Sequence, residues 1–173
     1  MKESLYGMIK PSDFSKRQYT DSYWLLQDIE KTISLGKNLT QIIPDFKILL
    51  LEGPLGAGKT SLVKGIAMSL GISEPITSPT FPLAQHYSSG LQTLFHLDLY
   101  RLEDHFAADE LFIQEEEEAS ELNALLIVEW PERLSLQLPE AWRMKLKYHN
   151  DENRSAQLLP PISYSARNSI TSS

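Results

Sequence analysis

The chain has 173 residues, of which 42% are hydrophobic and 23% charged, with a formal net charge of −7 and no cysteine. That length suits one domain with a short appendage at each end, and the composition excludes a disordered or membrane-embedded chain. The missing thiols exclude disulfides and thiolate metal sites, and the acidic balance opposes a broad nucleic-acid footprint, which draws its affinity from clustered Lys and Arg.

Residues 1 to about 20 are polar, mixed in charge and without a sustained period, so they read as a poorly ordered N-terminal extension. Met1 to Lys10 lacks the apolar segment of a secretory signal, and the longest aliphatic runs are Ile48 to Leu51 and Leu125 to Val128. A cytoplasmic protein is expected. The domain itself is placed at residues 21–159, and the Ser-rich stretch 160–173 reads as a flexible tail.

Within the domain, Tyr23 to Leu26 is expected as a short edge strand. Asp28 is the N-cap of a helix to about Ile43, with Ile29, Ile33, Gly36, Leu39 and Ile43 as its apolar stripe. Lys47 to Glu52 holds the unbroken run Ile48-Leu49-Leu50-Leu51, the pattern of a strand buried on both faces of a parallel sheet. A glycine-rich loop follows, then a helix from Lys59 to Leu70 with Gly71 at its left-handed C-terminal cap.

Phe81 to Tyr87 and Leu91 to Asp98 are expected to pair antiparallel across Ser88-Ser89-Gly90. A helix covers roughly His105 to Leu122, and a second buried strand runs from Ala124 to Val128 and ends at Glu129. Arg143 to His149 pairs with Ser155 to Leu159 across Asn150-Asp151-Glu152-Asn153. The sum is an α/β, P-loop NTPase-like three-layer domain with a mostly parallel central sheet and an antiparallel hairpin.

Gly53-Pro54-Leu55-Gly56-Ala57-Gly58-Lys59-Thr60 matches G-x-x-x-x-G-K-[ST]. Glycines let successive N–H groups turn inward around phosphates at a helix N-terminus. Lys59 then reaches the β- and γ-phosphates, and the Thr60 hydroxyl ligates magnesium. ATP and Mg2+ are the expected ligands, with Ser61 completing the stretch that meets the nucleotide. The strand before and the helix after supply the context that a chance match lacks.

Such a site also needs a carboxylate near the magnesium, at the end of a neighbouring strand. Glu129 and Asp98 both stand at strand ends. Ser78-Pro79-Thr80 reads either as a nucleotide-sensing loop or as an ordinary turn. Glu115 to Glu118 reads as a solvated helix face, because four adjacent residues spread around a helix. Trp130 reads as a packing aromatic in preference to a lid, and His86, His96, His105 and His149 show no zinc spacing.

Four segments together resemble the TsaE (formerly YjeE) family: Leu55-Gly56-Ala57-Gly58-Lys59-Thr60, Thr77-Ser78-Pro79-Thr80-Phe81, His96-Leu97-Asp98-Leu99-Tyr100-Arg101-Leu102 and Val128-Glu129-Trp130-Pro131-Glu132-Arg133. The resemblance spans roughly residues 28 to 148. It implies a bacterial ATPase that assists formation of the threonylcarbamoyl group on adenosine 37 of tRNAs reading codons that begin with A. It also implies docking on the TsaD catalytic subunit and its paralogue TsaB, with tRNA met only indirectly.

Carried over to this chain, the resemblance makes Lys59 and Thr60 the phosphate and magnesium contacts, Glu129 the magnesium-side carboxylate and Asp98 the second catalytic residue. Ser78 and Thr80 become a switch-like loop, and Tyr100, Arg101 and Trp130 belong to motifs that couple nucleotide state to docking. Pro54 stands where the family usually has Asp, Ser61 where Thr is common, and Pro82 is unusual. The runner-up reading is a P-loop small-molecule kinase, disfavoured because Arg101, Arg133 and Arg143 are too scattered for an arginine lid. A nucleotide sensor without chemistry is the third reading, and a GTPase is disfavoured by the missing Asn-Lys-x-Asp pattern.

Overall fold

The computed structural model describes residues 22–43, 45–149 and 153–162. The expected N-terminal extension, Pro44 as helix stop, the turn at 150–152 and most of the Ser-rich tail lie outside those residues. The described elements run in the order β1 (Ser22–Leu26), α1 (Ile29–Ile42), β2 (Ile48–Glu52), α2 (Lys59–Ser69), β3 (Ala84–Tyr87), β4 (Leu94–Asp98), α3 (His105–Glu121), β5 (Leu125–Glu129), β6 (Trp142–Tyr148) and β7 (Arg154–Leu159).

The strands form one sheet in the order β1-β7-β6-β2-β5-β4-β3. Its centre is parallel: β2 pairs with both β5 and β6, and β4 pairs with β5. Antiparallel pairs close each flank, β3 on β4 at one side and β6-β7-β1 at the other. The apolar run of β2 follows from this centre. Leu49 and Leu51 face one core cluster with Leu39, Leu62 and Ile66, whereas Leu50 faces another with Phe95, Phe112 and Val128. Alternate side chains of a strand point to opposite faces, and helices cover both, so every position is apolar. Each such leucine contributes on the order of 2 kcal/mol of hydrophobic stabilisation.

Helix α1 begins where Asp28 accepts from the Lys31 backbone N–H at 2.7 Å. Of the expected stripe Gly36, Leu39 and Ile43 are buried, but the rest of the buried face differs. Thr32, Leu35, Gly36 and Leu39 are buried, while Ile29 is 51% exposed. The face is set by α2: a Cβ on Gly65 would lie 2.1 Å from the Ile33 carbonyl oxygen, and one on Gly36 would lie 2.3 Å from the Leu62 carbonyl oxygen. The two helices therefore cross backbone against backbone, and the residues around that crossing are the ones that go inside. At the other end of α2, Gly71 takes a φ of 73°, with Ile72 N–H bonded to Ala67 C=O at 3.0 Å, the expected left-handed cap.

Helix α3 covers the second face with a narrow stripe, Ala108, Phe112, Glu115 and Ala119. Glu115 corrects the reading of its segment as solvated. It is 6% exposed and 2.6 Å from His86 Nε2, while Glu117 and Glu118 face solvent. Its spacing from Ala108 and Phe112 turns it inward, and His86, stacked on Phe95 with centroids 3.6 Å apart, meets it. The β3–β4 hairpin is shorter than expected because the segment before Ala84 turns: Leu83 has a φ of 66° and its N–H bonds to Pro79 C=O at 2.7 Å. Among the described residues no helix is long and apolar enough to cross a membrane.

Candidate nucleotide site

The parallel register decides what meets at the end of β2. Leu51 pairs with Glu129, and Glu129 pairs with Asp98, so the two carboxylates stand side by side at the mouth of the glycine loop. Both are 3% exposed. The chain leaves β2 through Gly53–Gly58 and enters α2 at Lys59. Gly58 has a φ of 101°, a conformation that L side chains rarely adopt, and no side chain caps the helix. The first N–H groups of α2 are thus left for an anion.

Lys59 is 4% exposed, and its ammonium donates to the Gly53 and Pro54 carbonyls at 2.7 and 3.0 Å. It also lies 3.9 Å from the ring centroid of Trp130. Burial pulls its pKa below the ordinary 10.5, against the opposing pull of Glu129, Glu132 and Asp98. Trp130 is at once a packing aromatic and part of the site. It adopts a φ of 62°, packs against the second core cluster and lies 4.8 Å from the Tyr100 ring.

Thr60 Oγ1 donates to Glu129 Oε1 at 2.9 Å. The same oxygen accepts from His96 Nε2, also at 2.9 Å, and His96 is completely buried. The carboxylate accepts, so Nε2 carries the proton, and Nδ1 finds no partner among the described residues. The sequence placed His96 in a family segment and showed no zinc or Ser/His/Asp arrangement for it, but gave it no role. The available signal was a polar residue inside the apolar run Phe95–Leu97, which needs a buried partner.

Asp98 is held differently. Its Oδ2 accepts from Ser78 Oγ at 2.5 Å and from Thr80 Oγ1 at 2.9 Å, and its Oδ1 accepts from the Tyr100 N–H at 3.1 Å. The Ser78–Thr80 turn is therefore fastened to the second carboxylate. Arg101 is turned away, over the ring of Phe81 at 4.1 Å. Of the other loop residues, Ala57 is buried, Leu55 is 68% exposed and Ser61 is half-buried in the first turn of α2. A cavity of about 600 Å3 adjoins Gly53 and Pro54 and is lined by Leu50, Trp130, Leu136 and Arg143.

The donor set fits magnesium, a hard cation that takes oxygen ligands and keeps several waters. One hydroxyl and one carboxylate, already 2.9 Å apart, are what the loop and β5 offer. Among the described residues no three His, Cys, Asp or Glu side chains gather as a metal cage. Phosphate oxygens and water are thus needed to complete such a shell.

The parallel centre, the loop–helix junction and the two strand-end carboxylates define an α/β protein of the P-loop NTPase-like class. Within that class the chain belongs to the TsaE family, whose model, described as "Threonylcarbamoyl adenosine biosynthesis protein TsaE", matches residues 26–157. It is 39% identical over 136 residues to the tRNA threonylcarbamoyladenosine biosynthesis protein TsaE of Nostoc sp., covering 78% of this chain and 83% of that one. The proteins of the same name from Synechocystis sp. and Bacillus subtilis are 45% identical over 119 residues and 34% over 135. The first match covers 67% of this chain and 73% of the relative, the second 76% and 80%. The crystal structure of Bacillus subtilis YdiB shares the fold, with a TM-score of 0.63 at 23% identity over 91% of this chain and 100% of that one.

Proposed function

We propose that this chain is a magnesium-dependent, cytoplasmic ATPase that supports formation of threonylcarbamoyladenosine at position 37 of tRNAs reading codons that begin with A. In this reading it acts with TsaD and TsaB, which carry the transfer and hold the tRNA. The observation behind it is the convergence of Lys59, Thr60, Glu129 and Asp98 on one loop, with Thr60 Oγ1 2.9 Å from Glu129 Oε1. The names of the relatives supply the pathway.

Lys59 exchanges its two backbone carbonyls for β- and γ-phosphate oxygens. Thr60 and Glu129 hold the magnesium, which when bound neutralises developing phosphate charge. Asp98 and Glu129 are the two carboxylates placed to orient the attacking water. Arg143 is paired with Glu52 at 3.3 Å and Arg101 lies over Phe81, and transition-state charge supplied by a partner is the route to fast turnover in this reading.

The test is tRNA modification reconstituted with TsaB, TsaD and excess ATP. The wild-type chain is expected to sustain repeated rounds, and Lys59→Ala to stop after the first. Equal multiple turnover by both would overturn the reading. Single-turnover assays on Asp98→Ala and Glu129→Ala separate hydrolysis from mere sensing of ATP. The cavity beside Gly53 and Pro54 favours one alternative, a small-molecule kinase with an acceptor in that space. A phosphorylated acceptor in a metabolite screen would establish it, and free phosphate alone would exclude it.

A further inference from the structure

His96 is completely buried and plays no part in the chemistry proposed above, yet it touches the residues that do. It stands on β4 two residues before Asp98, and alternate residues of a strand share a face. In the sheet, Asp98 pairs with Glu129 and His96 with Ile127. The imidazole therefore reaches Glu129 diagonally across the β4–β5 pair, and its Nε2 lies 2.9 Å from Glu129 Oε1. One strand carries the second carboxylate of the site and a support for the first.

That support comes at the expense of packing. Leu94, Phe95 and Leu97 beside it are buried and apolar, as a strand covered on both faces requires. A leucine at position 96 would meet the same requirement. The histidine meets it less well, because its Nδ1 is buried without a hydrogen-bond partner among the described residues, and an unmade bond of a buried group costs stability. What the histidine adds is the Nε2 proton, and that proton goes to Glu129.

Glu129 Oε1 also accepts from Thr60 Oγ1 at 2.9 Å. A hydroxyl has one proton and two lone pairs. With the proton committed to Glu129, what Thr60 has left is the lone pairs, the part of a hydroxyl that can ligate a cation. Fixing the carboxylate therefore fixes the hydroxyl, and His96 is the donor that fixes the carboxylate from inside the sheet.

We propose that His96 is a positioning residue for the metal, holding Glu129 Oε1 where Thr60 donates to it and so orienting the hydroxyl that takes magnesium. The inference rests on the magnesium-dependent nucleotide reading above and extends it one residue behind Glu129. Groups that orient a metal's ligands in this way are commonly worth roughly 10- to 100-fold in metal affinity.

Two titrations of the full chain test this. Mn2+, a paramagnetic stand-in for Mg2+, is added to the ADP-saturated chain and followed by electron paramagnetic resonance, and ADP is titrated calorimetrically in excess EDTA. His96→Leu is expected to weaken Mn2+ about tenfold while leaving ADP affinity in EDTA unchanged, which also shows that the loop remains folded. His96→Gln extends an amide donor to the reach of Nε2 and should restore most of the Mn2+ affinity. His96→Asn stops short of it and should behave as His96→Leu does, a second variant without the donor should leucine disturb the core. In a Thr60→Ala background the loss from His96→Leu should largely vanish, because the line of contacts ends at that hydroxyl.

An equal loss of ADP affinity in EDTA would reduce His96 to a core residue and overturn the proposal. So would unchanged Mn2+ affinity in His96→Leu and His96→Asn, no restoration by glutamine, or a loss that adds in full to that of Thr60→Ala. Each of these, with wild-type Mn2+ binding intact, sinks this inference alone. A wild-type chain that holds Mn2+ no better than free ADP does, or that binds no ADP, sinks the magnesium-dependent ATPase reading with it.

Discussion

The two faces of the sheet are closed by opposite means. On one, α1 and α2 cross with Gly36 and Gly65 in backbone contact over a cluster of aliphatic residues. On the other, α3 lies on a stripe four residues deep that includes a buried glutamate, and a cavity opens between Leu50, Trp130 and Leu136. The first face has no slack, and the helix that starts at Lys59 belongs to it. The second packs over an apolar cluster of its own and adds individual polar contacts, Glu115 with His86 and Asp109 with Ser135, that can be removed one at a time. The loop thus has a fixed floor, and the adjustable parts lie across the sheet.

Gly65→Ala is the largest blow to that contrast. The new methyl meets the Ile33 carbonyl 2.1 Å away, and backbone cannot swing aside as a side chain does. A loss of about 3 kcal/mol is expected, at the upper end for overpacking, read as a lower urea midpoint with an unchanged slope. A loss under about 0.5 kcal/mol would mean that the crossing yields, and the claim of a rigid face would go.

Glu115→Ala probes the other face. It strands His86, although that ring is partly solvated, so the expected cost is smaller, about 1.5 kcal/mol. Double-mutant analysis with His86→Ala should recover most of it as pairwise coupling.

Lys59→Met removes a buried charge from the fixed face. Because burial holds the Lys59 pKa below 10.5, the folded chain binds that proton less tightly than the unfolded chain does. The penalty is complete below the lowered pKa and fades as pH rises through it towards 10.5. Lys59→Met should therefore melt above wild type at pH 7, with the gap closing in alkali, and lose ATP hydrolysis. Melting below wild type at pH 7 would show that the bonds to Gly53 and Pro54 outweigh the burial.

The smallest effect is expected at Asp109, a half-buried residue of α3 whose Oδ1 accepts from the Ser135 N–H at 2.9 Å, while its Oδ2 accepts from the Ser135 hydroxyl. Those hydrogen bonds hold its pKa below 3.8, so its contribution is present above that value and is lost as pH falls through the lowered one. Asp109→Ala should melt slightly below wild type at pH 7 and match it in strong acid.

What could be read in advance was local or periodic. The run Ile48–Leu51, the glycine loop and the cap at Gly71 each carry their cause within a few residues, and the strand ends Glu129 and Asp98 inherited their placement from that pattern. What was missed depends on pairing between distant segments. Thr32 and Leu35 are buried because of where Gly65 lies, and His96 matters because Glu129 stands on the next strand. Glu115 was the exception. Its seven- and three-residue spacings from Ala108 and Phe112 were legible, but the run of four glutamates drew attention to charge in place of phase.

The turn at Ser78–Thr80 rests on an arithmetic of lone pairs. A single carboxylate oxygen, Oδ2 of Asp98, accepts from both hydroxyls, and it has little capacity left for a third partner. Any cation or water that claims that oxygen must evict a hydroxyl, and because the two residues are one turn of chain, losing one loosens the other. Two teeth of one turn thus hang on one pin, and Phe81, the next residue in the chain, is 81% exposed.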